Sequence, residues 1–377
     1  MVRQSFANSL IVKSLLSCIN DHLLNGKFNH LHKTFYALFH FQFAGESLTI
    51  TGSDTDNTIQ ITEENNCSSS KPCAIVVPAR IFLDIVRKLP AGEIQLKIGT
   101  NEISISAGKS TFEIKTMEAD EYPSFPFDDT GVCVEIQASD LANGLRLGYA
   151  CAVSTTRPTL QGIHIFGKEK AVTFVATDAH RLGSWTVQLE QEISLPKMIL
   201  PARAAEEMIK LIENATDKVT IHCTENSLRL SHQNVTYVSR LISGTYPDTS
   251  KVIPTNFSTT FVANRDELVK VLERVSIVSK EGKTNMCRLQ VIPSAIPSLL
   301  ISASQEGMGK VQEEVFISDL EGEMFEMKFS TKYLLEALRH MKAKEVMFQA
   351  SGANAPIIIR PTGNEPGFAL ILPVRSA

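Results

Sequence analysis

The chain has 377 residues, 43% of them hydrophobic and 21% charged, and its 37 Lys and Arg against 41 Asp and Glu leave a formal charge of -4. That length suits two or three domains, and the balance is that of a folded protein rather than a disordered or fibrous one. The net charge excludes attraction of the whole surface to nucleic acid, so such binding has to come from local clusters of cations, and no uninterrupted apolar run reaches bilayer-spanning length.

The N-terminal stretch MVRQSFANSLIVKSLLSCIN reads as a first helix over Ser5–Ile19, since Asn8, Ser9, Lys13 and Ser14 interrupt the apolar run a signal peptide needs. His22, His30, His32 and His40 come close together after it, but their spacing fits no tetrahedral pattern, and neither metal nor cofactor is expected. Seven cysteines (Cys18, Cys67, Cys73, Cys133, Cys151, Cys223 and Cys287) form no C-x-x-C pair and suggest reduced thiols and a cytoplasmic location.

A strand and polar turn come next, LTITGSDTD (Leu48–Asp56), then a polar loop (Glu64–Pro72) and a helix in VPARIFLDIVRKLP (Val77–Pro90). Alternating strands succeed it in EIQLKIG, EISISAG and STFEIKT. The pattern then repeats after about 125 residues. A helix is expected over Ser139–Val153, TFVATDAHR sets Asp178 against Asp54, LPARAAEEMIKLIE answers the earlier helix, KVTIHC and SLRLSH alternate, and Tyr246-Pro247 echoes Tyr122-Pro123. A third round opens with a helix over Arg265–Val278, places LLISASQEG where the turn stood, and closes with FSTKYLLEALRHMK (Phe329–Lys342). The expected architecture is α+β, with three similar domains at 1–128, 129–255 and 256–377.

The second helix of each round carries two cations two turns apart: Arg80 and Arg87, Arg203 and Lys210, Lys332 and Arg339. Any one pair could simply solvate an amphipathic face. Glutamate would do that equally well, so a positive sign kept in all three rounds points to an anion facing all three helices, and a phosphate backbone bound without sequence preference fits.

The segment Thr177-Asp178-Ala179-His180-Arg181-Leu182 allows three readings. A hydrolytic enzyme using Asp178 and His180 would need a nucleophile or metal partners, and no G-x-S-x-G, H-E-x-x-H or P-loop pattern occurs. A purely structural account has Asp178 brace a turn through its own backbone, which Asp54 at the matching place favours. The third reading rests on a resemblance.

TGSDTD, VPARIFLDIVRKLP, ATDAHRL, GTYPDTSKVIP, SKEG and the terminal LPVR together resemble the bacterial sliding clamp, the beta subunit of the replicative DNA polymerase holoenzyme, over essentially the whole chain. The resemblance implies a non-enzymatic processivity factor: three clamp domains per chain, with helices lining the inside and antiparallel sheets outside, closing head to tail as a homodimeric ring around duplex DNA. It implies that the paired cations and Lys251 face DNA. It also implies a partner-peptide pocket walled by Leu160, Thr177, His180, Arg181, Leu182, Pro247, Val252, Leu370, Leu372, Pro373, Val374 and Arg375, with His180 and Arg181 as polar rim groups. The partners implied are a replicative polymerase subunit, a clamp loader and other proteins with short clamp-binding motifs, with no membrane. Subunit contact would join Phe112 and Ile114 to Ile277 and Val278, although core packing explains Phe112 and Ile114 equally well. Domain one lacks the Arg-Pro-x-Leu-like stretch that domain two keeps in Thr156–Leu160, carrying Lys27, His30, His32 and Lys33 instead, and this leaves open a divergent clamp-like protein serving a restricted partner.

Overall fold

A computed structural model describes residues 2–6, 38–44, 47–54, 56–63, 73–89, 94–122, 130–280, 285–322, 324–352, 354–363 and 365–374. The chain divides into two compact units, one of Met1–Ala138 with Glu207–Leu241, the other of Ser139–Glu206 with Ile242–Ala377. Five α-helices lie among the described residues: α1 (Ala79–Lys88), α2 (Ala138–Leu145), α3 (Ala202–Ile212), α4 (Arg265–Lys280) and α5 (Thr331–His340).

In the first unit a nine-stranded antiparallel sheet runs in the order Val132–Gln137, Lys218–Cys223, Ser227–His232, Val235–Arg240, Asn57–Glu63, Ser47–Ser53, Leu38–Ala44, Cys73–Pro78 and Met117–Glu118. Strands of the first and second sequence rounds meet within it, with Val235 opposite Ile61 and Ser239 opposite Asn57. Repeat and compact unit therefore do not coincide. Alternation decides which face is covered: Phe39, Phe41 and Phe43 all point inward and are almost wholly buried. Helix α1 closes on them with Ala79, Phe82, Leu83 and Val86, an i, i+3, i+4, i+7 stripe, and Phe82 meets Phe41 edge-on at 5.0 Å. Truncating Phe82 to alanine would cost about 3–4 kcal/mol. The opposite side of α1 carries Arg80, Asp84 and Arg87, all exposed.

The second sheet of this unit has four strands, Val2–Phe6, Ile94–Ile98, Glu102–Ala107 and Ser110–Lys115. The helix expected from Ser5 is corrected at its start, because Ser5 and Phe6 pair with Gln95 and Ile94 as extended chain. Neighbouring strand partners overrode the local helical spacing, and the rest of that helix lies outside the described residues.

The second unit holds a twelve-stranded sheet in which Arg181–Gln188 pairs with Gly367–Ile371, placing Leu182 opposite Leu370. The helix expected over Ser139–Val153 is α only to Leu145 and then tightens to a 3-10 turn at Arg146–Ala150. A Cβ on Gly144 would lie 2.6 Å from the Phe174 ring, so close packing against the strand excludes a side chain there. The third-round core stacks Phe261 on Phe348 at 4.9 Å, and α4 and α5 cover it through Leu268, Val271, Leu272, Val275, Leu334, Leu335 and Leu338. Ser330 caps α5 by accepting the Tyr333 N–H at 3.4 Å.

Candidate peptide pocket and cationic helix faces

The turn after the strand Ala171–Thr177 is built by Asp178. Its Oδ1 accepts the backbone N–H groups of His180 at 2.9 Å and Arg181 at 3.0 Å, while Ala179 takes a φ of 75°. Thr177 locks the base: its hydroxyl donates to the Arg181 carbonyl and accepts the Ala179 N–H, and its own N–H donates to the Tyr246 hydroxyl at 3.0 Å. Asp178 Oδ2 accepts from Arg181 Nε at 2.9 Å. The carboxylate is thus committed to turn and guanidinium and orients no imidazole, so no Asp178–His180 dyad forms.

Arg181 does not stand on a rim. It is 6% exposed, pairs with both Asp178 and Glu336, and lies over the rings of Tyr333 at 4.3 Å and Tyr149 at 5.5 Å. A guanidinium buried this deeply needs all of its charge and face satisfied, and two carboxylates with two phenols supply that. The rim assignment for Arg181 is therefore replaced by an internal brace, whereas His180 is exposed.

Beside the turn, Leu160, Leu182 and Leu370 join Val175, Ile199, Tyr246 and Ile358 in one apolar cluster, each below 9% exposure, with Ile253 and Phe257 against it. Pro247 and Val252 flank Tyr246 and Ile253 in sequence and are exposed, Val252 at 52%. The C-terminal segment is tied in by two backbone bonds, Leu372 N–H to the His180 carbonyl at 2.9 Å and Val374 N–H to the Lys328 carbonyl at 2.7 Å. Leu372 is 38% exposed, Pro373 and Val374 are half-buried, and Arg375 lies outside the described residues. The segments that carry exposed Pro247, Val252 and Leu372 thus also carry residues of a close-packed apolar cluster, Tyr246, Ile253 and Leu370, and exposed His180 is bonded through its carbonyl to Leu372.

Sequence reasoning missed Tyr149, Tyr333, Glu336 and His164. His164 stacks on Tyr246 at 4.8 Å, and burial, then the charge of Lys197, lowers its pKa to about 4. Burial likewise raises the Tyr246 phenol, which stays protonated. The Tyr-Pro echo was a usable signal, since Tyr122 in the first round donates to the Thr51 carbonyl at 3.2 Å, bracing the strand before its own turn.

The cations sit on helix surfaces. Arg80 and Arg87 on α1 and Lys210 on α3 are exposed, and Arg203 is half-buried. Lys332 and Arg339 are exposed on α5, and Lys251 is exposed in the short 3-10 turn Ser250–Val252. Several have acidic neighbours: Lys210 with Glu207 at 3.2 Å, Arg339 with Glu273 at 2.7 Å, and Lys251 with Asp248 and Lys332 with Glu336 both at 3.9 Å. Phe112 is 40% exposed on a terminal strand, Ile114 is buried at 6%, Ile277 is 69% exposed and Val278 half-buried. His40 stacks on Tyr122 at 5.3 Å, while His22, His30, His32, Lys27 and Lys33 fall outside the described residues. No helix among the described residues is long and apolar enough to cross a membrane.

Models of the N-terminal, central and C-terminal domains of the DNA polymerase III beta subunit match residues 37–126, 140–248 and 250–375. The beta sliding clamp of Bacillus subtilis is 32% identical over 340 residues, covering 88% of this chain and 89% of that protein. The chain belongs to the beta sliding clamp family. The clamp of Staphylococcus aureus is 30% identical over 87% of this chain and 88% of its own. The crystal structure of the Bacillus subtilis DNA polymerase sliding clamp superposes with a TM-score of 0.92 at 27% identity, covering all of both chains. The beta subunit of Streptococcus pyogenes gives 0.93 at 22% identity over 99% of this chain and 100% of that one, a likeness of fold. Like its family, the clamp is a processivity factor in DNA replication and not an enzyme.

Proposed function

We propose that this clamp acts as a head-to-tail dimeric ring of three domains per chain (1–128, 129–255 and 256–377) that encircles duplex DNA in the cytoplasm. It would slide without sequence preference and tether a replicative polymerase subunit, a clamp loader and other proteins through short peptides. The observation that supports the tether most directly is the apolar cluster of Leu160, Leu182 and Leu370, with exposed Val252 adjoining in sequence Ile253, which packs against it, and exposed Leu372 bonded through its N–H to the His180 carbonyl. Leu and Phe side chains of an extended peptide match such a slot, and His180 offers a hydrogen bond at its edge. Thr177 and Arg181 shape it from within.

Arg80, Arg87, Arg203, Lys210, Lys251, Lys332 and Arg339 are the proposed phosphate contacts. Exposed pairs such as Arg339–Glu273 contribute only about 0–1 kcal/mol, so the acids beside Lys210, Lys251, Lys332 and Arg339 moderate these cations without abolishing them. Weak, uniform contacts suit a protein held by topology, because strong ones would arrest sliding. For ring closure, Phe112 and Ile277 are the exposed apolar candidates, while Ile114, beside Phe112 on the same strand face, is buried.

Replacing Val252 and Leu372 together by serine should weaken a fluorescein-labelled peptide carrying two leucines and a C-terminal phenylalanine about tenfold, at a stability change within about 0.5 kcal/mol. Sedimentation should show the dimer intact. Unchanged peptide affinity would contradict the pocket assignment.

A further inference from the structure

Arg181 is held by two carboxylates that do different things. Asp178 belongs to the same turn, whereas Glu336 lies on α5, between Lys332 and Arg339. Glu336 Oε2 accepts from Arg181 Nη1, and its Oε1 lies 3.9 Å from Lys332 Nζ. One carboxylate therefore touches both the brace of the peptide turn and a cation assigned to DNA.

Beyond the two carboxylates, the Arg181 guanidinium lies against aromatic rings. Tyr333 underlies its guanidinium at 4.3 Å, and Tyr149 is stacked on His340 at 4.4 Å. His340 in turn is fixed by donating from Nδ1 to the Glu336 carbonyl at 2.6 Å. The backbone of Arg181 transmits any shift directly: its N–H is bound to Asp178, its carbonyl to Thr177, and Leu182, next in sequence, pairs with Leu370 in the slot floor. A guanidinium released from Glu336 would have to leave its site to regain solvation, and it could not do so without pulling that turn.

Resting on the reading of this surface as a peptide pocket, we propose that Glu336 is a positioning residue of that pocket, acting through Arg181, and that it joins the pocket to the cationic surface of α5. Glu273 provides the contrast. It is also an acid on a cation of α5, pairing with Arg339, but it has no bond to the turn.

The test uses the full-length clamp, the same fluorescein-labelled peptide and anisotropy titrations, with thermal melts run in parallel. Glu336→Gln should weaken the peptide about tenfold, Glu336→Asp, charged but one methylene shorter, about threefold, and Glu273→Gln should leave it unchanged. The double variant Glu336→Gln with Arg181→Met should bind no more weakly than Arg181→Met alone, since both act through one contact. A residue that merely stabilised the fold would lower the melting temperature and leave the affinity of the folded protein in place. Affinity of Glu336→Gln or Glu336→Asp equal to that of the unaltered clamp, or additive losses in the double variant, would overturn the proposal. Failure of the unaltered clamp itself to bind the peptide is a separate result, which would remove the pocket reading and this proposal with it.

Discussion

Two turns of the same construction are flanked differently in the two units. In the first, Asp54 Oδ1 accepts the N–H groups of Asp56, at 2.7 Å, and Asn57, just as Asp178 accepts those of His180 and Arg181. The residue three places on reaches an element from the next sequence round in both: Asn57 Oδ1 accepts the Tyr237 hydroxyl at 3.0 Å, and Arg181 reaches Glu336. The next residue along the chain separates the two. Thr58 is fully buried and shares a 2.8 Å hydrogen bond with Ser53, which closes the first turn with hydroxyls, whereas Leu182 opens onto an apolar cluster with exposed neighbours. An aspartate-led turn is a reusable corner, and its flanking residues decide whether it is closed off by hydroxyls or opens onto an apolar cluster, the feature on which the proposed peptide slot rests.

That difference can be broken at its charged member first. Arg181→Met takes the guanidinium from Asp178 and leaves Glu336 with Lys332 at 3.9 Å, and should destabilise the second unit by about 3 kcal/mol, while Asn57→Leu, removing a neutral bond, should cost about 1 kcal/mol. Denaturant melts read both, and equal losses would mean that the two corners are braced alike. Next in size, Asp54→Ala should cost about 1 kcal/mol and leave peptide binding untouched, while Asp178→Ala should lose both stability and peptide affinity.

A further effect appears only as the pH is lowered. His164, at about 4 against an ordinary 6.5, binds fewer protons folded than unfolded between those values. Its contribution is complete above pH 6.5 and is lost progressively as the pH falls towards 4. His164→Phe keeps a ring on Tyr246 without the titration, so its melting temperature should fall less than that of the unaltered clamp over this window. Parallel curves would contradict the assignment.

Much of the architecture could be read from the chain because each signal was local. The α1 stripe of Phe82, Leu83 and Val86, the alternation of Ile94 with Leu96 and Ile103 with Ile105, and the Ser330 cap all depend on neighbours within a few residues. Spacing also revealed the Asp54 and Asp178 turns and the tyrosines behind them. What the chain could not reveal were pairings between rounds: Val235 with Ile61, Leu182 with Leu370, and above all Arg181 with Glu336. An arginine after a histidine resembles a surface group until a carboxylate far along the chain is brought beside it. Likewise Ser5 and Phe6 fit helical spacing, yet the free edge of Ile94–Ile98 takes them as a strand.

Retention on circular against linear DNA tests encirclement most directly. With a loader present, the clamp should be placed on nicked circles, remain there through gel filtration, and be lost when a single cut linearises them. Equal retention on circle and linear DNA would contradict a topological hold and reduce the repeated cations to an ordinary binding surface.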